Sequence, residues 1–177
     1  MAAEKNIILD FNAGNLGQWT VEGNAFGIST RQRYGLNDKF HIESLTNGES
    51  ATGRIVSVPF QLKGPVISFT ANGWEGHGNN RRNGYLLRRV ADGKILRTAP
   101  PPNADKFVKL SWVLTDCQNE TVVFEVYDND TEAGYAWVGL GAVYYDTVDR
   151  TKIYHAIVAV EGSGEQSPDV IVAEAGI

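Results

Sequence analysis

The sequence predicts an all-β protein, two antiparallel sheets packed as a jelly-roll β-sandwich, and three observations predict it. Apolar residues recur at every second position in short runs; Val, Ile, Thr, Phe, Tyr and Trp crowd those runs; and Gly, Pro, Asn or Asp bound each one, with 19 glycines in 177 residues. That composition suits pleated, half-buried strands joined by tight turns. No stretch of a dozen residues carries the apolar stripe of an amphipathic helix. Many short strands with long connections point to two packed sheets.

Residues 1–6, "MAAEKN", are expected to lead into the domain, and "NIILDF" (6–11) to be its first strand. "TGRIVSVPFQL" (52–62) and "GPVISFTA" (64–71) read as strands on either side of the turn "LKGP". "YLLRRV" (85–90) and "KILRT" (94–98) flank Asp92-Gly93, which predicts a hairpin closed by a two-residue turn with both central residues at positive φ. The prolines of "APPPNAD" (99–105) cannot donate to a ladder and mark a stiff, extended connection. "KFVKLSWVL" (106–114), "ETVVFEVYD" (120–128) and "KIYHAIVAV" (152–160) continue the pattern, with "NDTEAG" (129–134) as a turn. Residues 161–168 read as a flexible segment before a last strand, "DVIVAE" (169–174), expected to pair with the first. The whole, 1–177, is the size of one domain with a real core.

A formal net charge of −5 opposes nucleic-acid phosphate, against which only Arg81/Arg82 and Arg88/Arg89 argue. No apolar run approaches the roughly 18 to 20 residues of a membrane-spanning helix, and the chain carries no signal-peptide core. Nucleic acid and membrane are therefore not expected as partners. The single cysteine, Cys117, excludes an intramolecular disulfide and a Cys-rich zinc cluster, and reads as a structural thiol. His41, His77 and His155 lack the spacing of a zinc site. The glycines of "GWEGHGNNRRNG" lack the Lys-Ser/Thr and following helix of a phosphate loop.

Several motifs together resemble a known arrangement. "LDFNAGNLGQWTVEGNAFG" places Phe11, Gly14, Leu16, Trp19, Val21, Gly23, Ala25 and Phe26 at the spacing F-x-x-G-x-L-x-x-W-x-V-x-G-x-A-F. "GESATGRIVSVPFQLKGPVISF" follows with Glu49, Ser50, Thr52, Gly53, Ser57, Phe60, Leu62, Gly64 and Phe69; then come the Asp92-Gly93-Lys94 hairpin and Trp112 on a strand. Over roughly residues 8 to 146 the chain resembles the β-sandwich carbohydrate-binding modules appended to levanases and other bacterial glycan-active enzymes. The closing "G-x-W-G-H-I-x-V-D" strand of those modules is replaced by "AGYAWVGLGAVYYD". The resemblance thus implies a secreted, non-catalytic sugar-binding module beside a parent enzyme, with fructan as one candidate among plant, algal and microbial glycans. A glycoside hydrolase or lyase on a related sandwich, with Glu43, Glu75 and Asp128 as nominal acids, and a protein-interaction or adhesion domain are the alternatives.

A sugar offers hydroxyls around a ring with an apolar C–H face, so its site needs an aromatic platform beside charged or amide groups. The stretch 72–87 supplies that mixture: Trp74 to stack, Glu75, Arg81 and Arg82 to grip vicinal hydroxyls, and Asn79 to donate and accept. The segment Ser29–Ser50, read as one long loop, adds Arg33 and Tyr34 and is expected at the same end of the sandwich. Tyr135 and Trp137 are expected to alternate on one face of a strand and expose two rings together. Asp128 and Asp130 begin an acidic run that invites a structural Ca²⁺; no other cofactor is expected.

Overall fold

The computed structural model describes residues 6–77, 82–146 and the backbone of Ile171–Ala173. The alternating runs form β1 (Asn6–Leu9), β2 (Trp19–Gly23), β3 (Gly27–Ser29), β4 (His41–Glu43), β5 (Gly53–Ser57), β6 (Phe60–Gln61) and β7 (Val66–Gly73). They continue as β8 (Asn83–Arg89), β9 (Ile95–Ala99), β10 (Ala104–Val113), β11 (Thr121–Asp128), β12 (Val138–Tyr145) and β13 (Ile171–Ala173). One sheet has the order β13-β10-β7-β12-β4-β3 with β1 also on β12; the other has β2-β5-β11-β8-β9 with β6 on β11. Every pairing is antiparallel. The all-β sandwich is therefore the fold.

Period-two alternation turns one face of each sheet inward. Val122, Phe124 and Val126 of β11 and Tyr85 and Leu87 of β8 meet Ile67, Phe69, Trp112 and Leu140 from the opposite sheet, all fully buried. Phe69 is the hub, with ring centroids 4.7 Å from Trp112, 5.0 Å from Phe124 and 5.2 Å from Tyr85. The buried Tyr85 hydroxyl lies 2.6 Å from the Gly139 carbonyl and 3.0 Å from that of Asn72, so its proton ties β8 to the other sheet. Burial keeps that phenol neutral, its pKa well above the ordinary value. Cys117 is buried and its thiol points at the Leu114 carbonyl.

The structure corrects several details. "TGRIVSVPFQL" is two strands, because Val58 and Pro59 interrupt the ladder between β5 and β6. The hairpin at Asp92-Gly93 is present, but its loop holds four residues: the Arg89 amide donates to the Lys94 carbonyl at 2.8 Å, and of the pair only Gly93 has positive φ. The Asp92 carboxylate accepts from Arg89 and from the Lys94 amide, which holds it in a conformation needing no positive φ. β13 pairs with β10 and β1 with β12, so the expected pairing of last strand with first does not occur. Ser29–Ser50 is not one loop, since β4 returns alongside β3. "KIYHAIVAV", with His155, and segment 161–168 lie outside the described residues.

Candidate functional site

The 74–82, 100–103 and 129–137 connections leave their sheets at one end of the sandwich, where Gly73 of β7 faces both Ala104 of β10 and Val138 of β12. Gly73 has φ +102°, and a Cβ there would collide with the Trp137 carbonyl. That close approach lets the Trp74 amide donate to the same carbonyl at 2.8 Å, fixing where the tryptophan starts. The ring is then held from its far side, Nε1 donating to Asp105 Oδ1 at 3.1 Å.

Tyr135 completes an aromatic pair. It is 65% exposed, and its ring stands edge to face with Trp74 at 4.6 Å and 65°. Glu75 lies beside the pair in a reciprocal clamp: its amide donates to Asn103 Oδ1 at 3.0 Å, and Asn103 Nδ2 donates back to Glu75 Oε1 at 3.1 Å. The structure thus gathers Trp74, Glu75 and Tyr135, and adds Asn103 and Asp105, which sequence reasoning had placed only in a proline-rich connection.

Tyr135 and Trp137 do not share an exposed strand face. β12 begins at Val138; Tyr135 lies outside it in the left-handed region at φ +60°, and Trp137 is buried. Arg33 covers the Trp137 ring with its guanidinium carbon 4.7 Å from the centroid. Arg33 Nε also donates to the buried Glu43 at 2.7 Å, and His41 Nε2 lies 3.1 Å from the same oxygen. Burial pushes Glu43 upward, but hydrogen bonds from His41 and Arg33 outweigh it and hold the carboxyl below its ordinary value. Arg33 is therefore a buttress under the loop end. The 30–40 loop itself folds over the outer face of the first sheet, with Gly35 against the Phe107 carbonyl and Leu36 over Gly141. Tyr34 projects from it, 88% exposed.

Arg82 belongs to a charged box. Its Nη1 lies 3.4 Å from Asp130 Oδ1 and 3.8 Å from Glu132, while the amide and Nδ1 of His77 approach Asp130 Oδ2 at 2.6 and 2.9 Å. Burial would raise the Asp130 pKa, yet the Glu132 amide and the His77 ring and amide bring it below the ordinary value. Both Asp130 oxygens are thus committed to protein donors. Asp128 is different: fully buried, it keeps Oδ2 without a partner, beside Asn83 on the neighbouring strand, whose Oδ1 is equally unpartnered. Burial, with the charges of Asp130 and Glu49, raises its pKa to about 7. Among the described residues no three His, Cys, Asp or Glu side chains converge as metal ligands. Asn79 and Arg81 lie outside the described residues.

A row of charges that no sequence motif marks lies on the outer face of the second sheet: Glu22, Arg54, Arg88 and Glu125, from four different strands. Only pairing register reveals their convergence.

No protein-family model matches the chain. A protein of Aspergillus rugulosus described as a glycosyl hydrolase is 24% identical over 105 residues, covering 59% of this chain but 14% of that relative's length. Among solved structures, the enzymatically active domain of tailspike protein 4 of bacteriophage CBA120 aligns with a TM-score of 0.50 at 12% identity, over 81% of this chain and 21% of that one. The K1 cleaved adhesin domain of Lys-gingipain from Porphyromonas gingivalis W83 aligns with a TM-score of 0.50 at 12% identity, over 78% and 97% of the two chains. The module TmCBM61, solved with β-1,4-galactotriose, gives 0.48 at 14% identity, over 76% and 92%. At these identities the likeness is one of fold. No helix among the described residues is long and apolar enough to cross a membrane.

Proposed function

We propose that this chain is a non-catalytic carbohydrate-binding module, which grips a polysaccharide or a sugar terminus at the loop end and holds an attached glycan-active enzyme, of the levanase kind or another, beside its extracellular substrate. One observation carries the reading: an aromatic pair at the loop end, half-buried Trp74 and exposed Tyr135 at 4.6 Å, lies next to the Glu75–Asn103 clamp and Asp105. The rings offer an apolar surface to a pyranose or furanose C–H face, and the clamp offers donors and acceptors together. Tethering raises effective substrate concentration without altering the chemistry. The carboxylates nominated for a hydrolase support a binding role: Glu43 is buried in its ion pair, Asp128 is buried in the sandwich end, and Glu75 is clamped. A structural Ca²⁺ belongs to the proposal at Asp128, whose Oδ2 retains unused lone pairs.

Affinity electrophoresis against fructan, galactan, β-glucan and xylan gels tests the reading. Retardation by at least one glycan, lost in Trp74→Ala and Tyr135→Ala, is the expected result. No retardation by any glycan would favour an adhesion domain, and release of reducing ends from the panel would favour a hydrolase.

A further inference from the structure

The outer face of the second sheet carries a cleft of about 490 Å³ lined by Glu22, Arg54, Leu86, Arg88, Glu125 and Tyr127. Its volume falls within the roughly 300–1,000 Å³ of small-ligand sites. We propose that this cleft is a second glycan site, which takes a neutral stretch of sugar chain independently of the loop end.

Register builds its floor. Glu22 of β2 pairs with Arg54 of β5, Arg54 with Tyr127 of β11, and Tyr127 with Gly84 of β8, so one row crosses four strands. A Cβ on Gly84 would come within 2.7 Å of the Tyr127 hydroxyl oxygen. The tyrosine therefore lies down across the roughly 4.8 Å gap to β8 instead of standing off the sheet. The absent side chain at Gly84 is what turns Tyr127 into a flat platform, with aliphatic Leu86 beside it.

Charge selects the ligand. Glu125, only 3% exposed, accepts from Arg88 Nε at 2.6 Å and lies 3.6 Å from Arg54 Nη1; Glu22 accepts from Arg54 Nη2 at 2.8 Å. Two arginines and two glutamates sum to zero. An anionic sugar would have to displace a carboxylate from its guanidinium, and a cation would face both arginines. A neutral polyol, donor and acceptor at each hydroxyl, inserts without breaking a pair. A protein partner fits poorly, because Leu86 is the only aliphatic side chain of a floor that interface cores make mostly apolar.

The cleft ends at Asn129, whose amide donates to the Arg82 carbonyl at 2.9 Å, so the charged box of Arg82, His77 and Asp130 stands between the two sites. The test is titration of ¹⁵N-labelled protein with neutral gluco-, galacto-, xylo- and fructo-oligosaccharides, with oligogalacturonate as the anionic control. Saturable shifts at the amides of Leu86, Glu125 and Tyr127 are expected with one of the neutral sugars. They should survive Trp74→Ala, weaken at least tenfold in Tyr127→Ala, and return in Tyr127→Phe, which keeps the ring. Shifts confined to residues 74–75, 103 and 135 would overturn the second site and keep the first. Shifts confined to the cleft would support it and overturn the loop-end reading. Shifts nowhere would overturn both, and cleft shifts with oligogalacturonate alone would overturn the assigned ligand class.

Discussion

Tyr135 holds its ring 4.6 Å from that of Trp74 while its own backbone sits at φ +60°, a region that side chains other than glycine enter at a cost of about 1 kcal/mol. A solvent-exposed ring has thus been kept where folding alone would favour glycine. Tyr135→Gly is expected to leave stability within about 1 kcal/mol of wild type in denaturant titrations, the relief of positive φ offsetting the lost contact with Trp74, and to weaken glycan retention about tenfold. A variant that loses stability and keeps its binding would refute the role given to this ring.

Trp74→Ala removes the other half of the pair and the bond to Asp105, yet the ring is only half-buried at the rim of the sandwich. Glycan retention should fall at least tenfold while unfolding free energy drops by about 1–2 kcal/mol. Trp74→Phe, which keeps a ring but not the indole N–H, should fall between wild type and alanine in affinity gels.

Gly73→Ala tests the platform from beneath. The added methyl would collide with the Trp137 carbonyl and lie 2.7 Å from Val138 Cα, and φ +102° disfavours any side chain there. A loss of about 2–3 kcal/mol is expected. Binding should weaken although every sugar-contacting side chain is intact, since the Trp74 amide loses its anchor.

Asp128 gives the stability a pH signature. Its folded-state pKa of about 7 lies above the ordinary 3.8, so the native state binds the proton more tightly than the unfolded chain. That contribution is complete below about pH 4 and is lost as pH rises through 7. With chelator present, Tm should fall from about pH 5 to about pH 8 in wild type and stay nearly level over that window in Asp128→Asn. The variant should be the more stable at about pH 8, by up to about 4 kcal/mol. Added calcium that raises the wild-type Tm at that pH, and not the variant's, would support the ion proposed at this carboxylate.

Glu43 acts with the opposite sign. Its folded-state pKa lies below the ordinary 4.5, so the stabilisation is present above that value and lost as pH falls through the lower one. Glu43→Gln keeps the shape but leaves Arg33 and buried His41 without their anion; a loss of about 2–3 kcal/mol is expected near neutral pH. A change below about 0.5 kcal/mol would contradict the buttress described under Trp137.

The strands that alternate strongly were legible in the sequence, and those that do not were missed for physical reasons. "ETVVFEVYD" became β11 because Val122, Phe124 and Val126 point inward between polar neighbours. The strand expected around Tyr135 and Trp137 begins only at Val138, as β12; Gly139 and Gly141 break its alternation, and a side chain from β7 fills the place of each, Asn72 at the first and Thr70 at the second. Trp74, Glu75 and Tyr135 were readable as chemistry, yet their meeting depends on a left-handed tyrosine and on Asn103, also at positive φ, which no periodicity announces. The charged row from Glu22 to Arg88 was the least legible, since its members come from four strands that only register brings together.

β12 pairs with β7 along one edge and with β4 and β1 along the other, although Asn6 and its partner Tyr145 are 139 positions apart in the sequence. During synthesis, then, β1, β3, β4 and β7 emerge long before the strand that joins them. Until Tyr145 clears the ribosome, the first sheet lacks its central member. Such non-local pairing makes for slow folding, on the order of milliseconds to seconds, and leaves the waiting edges open to association. Order in this sandwich arrives late and all at once.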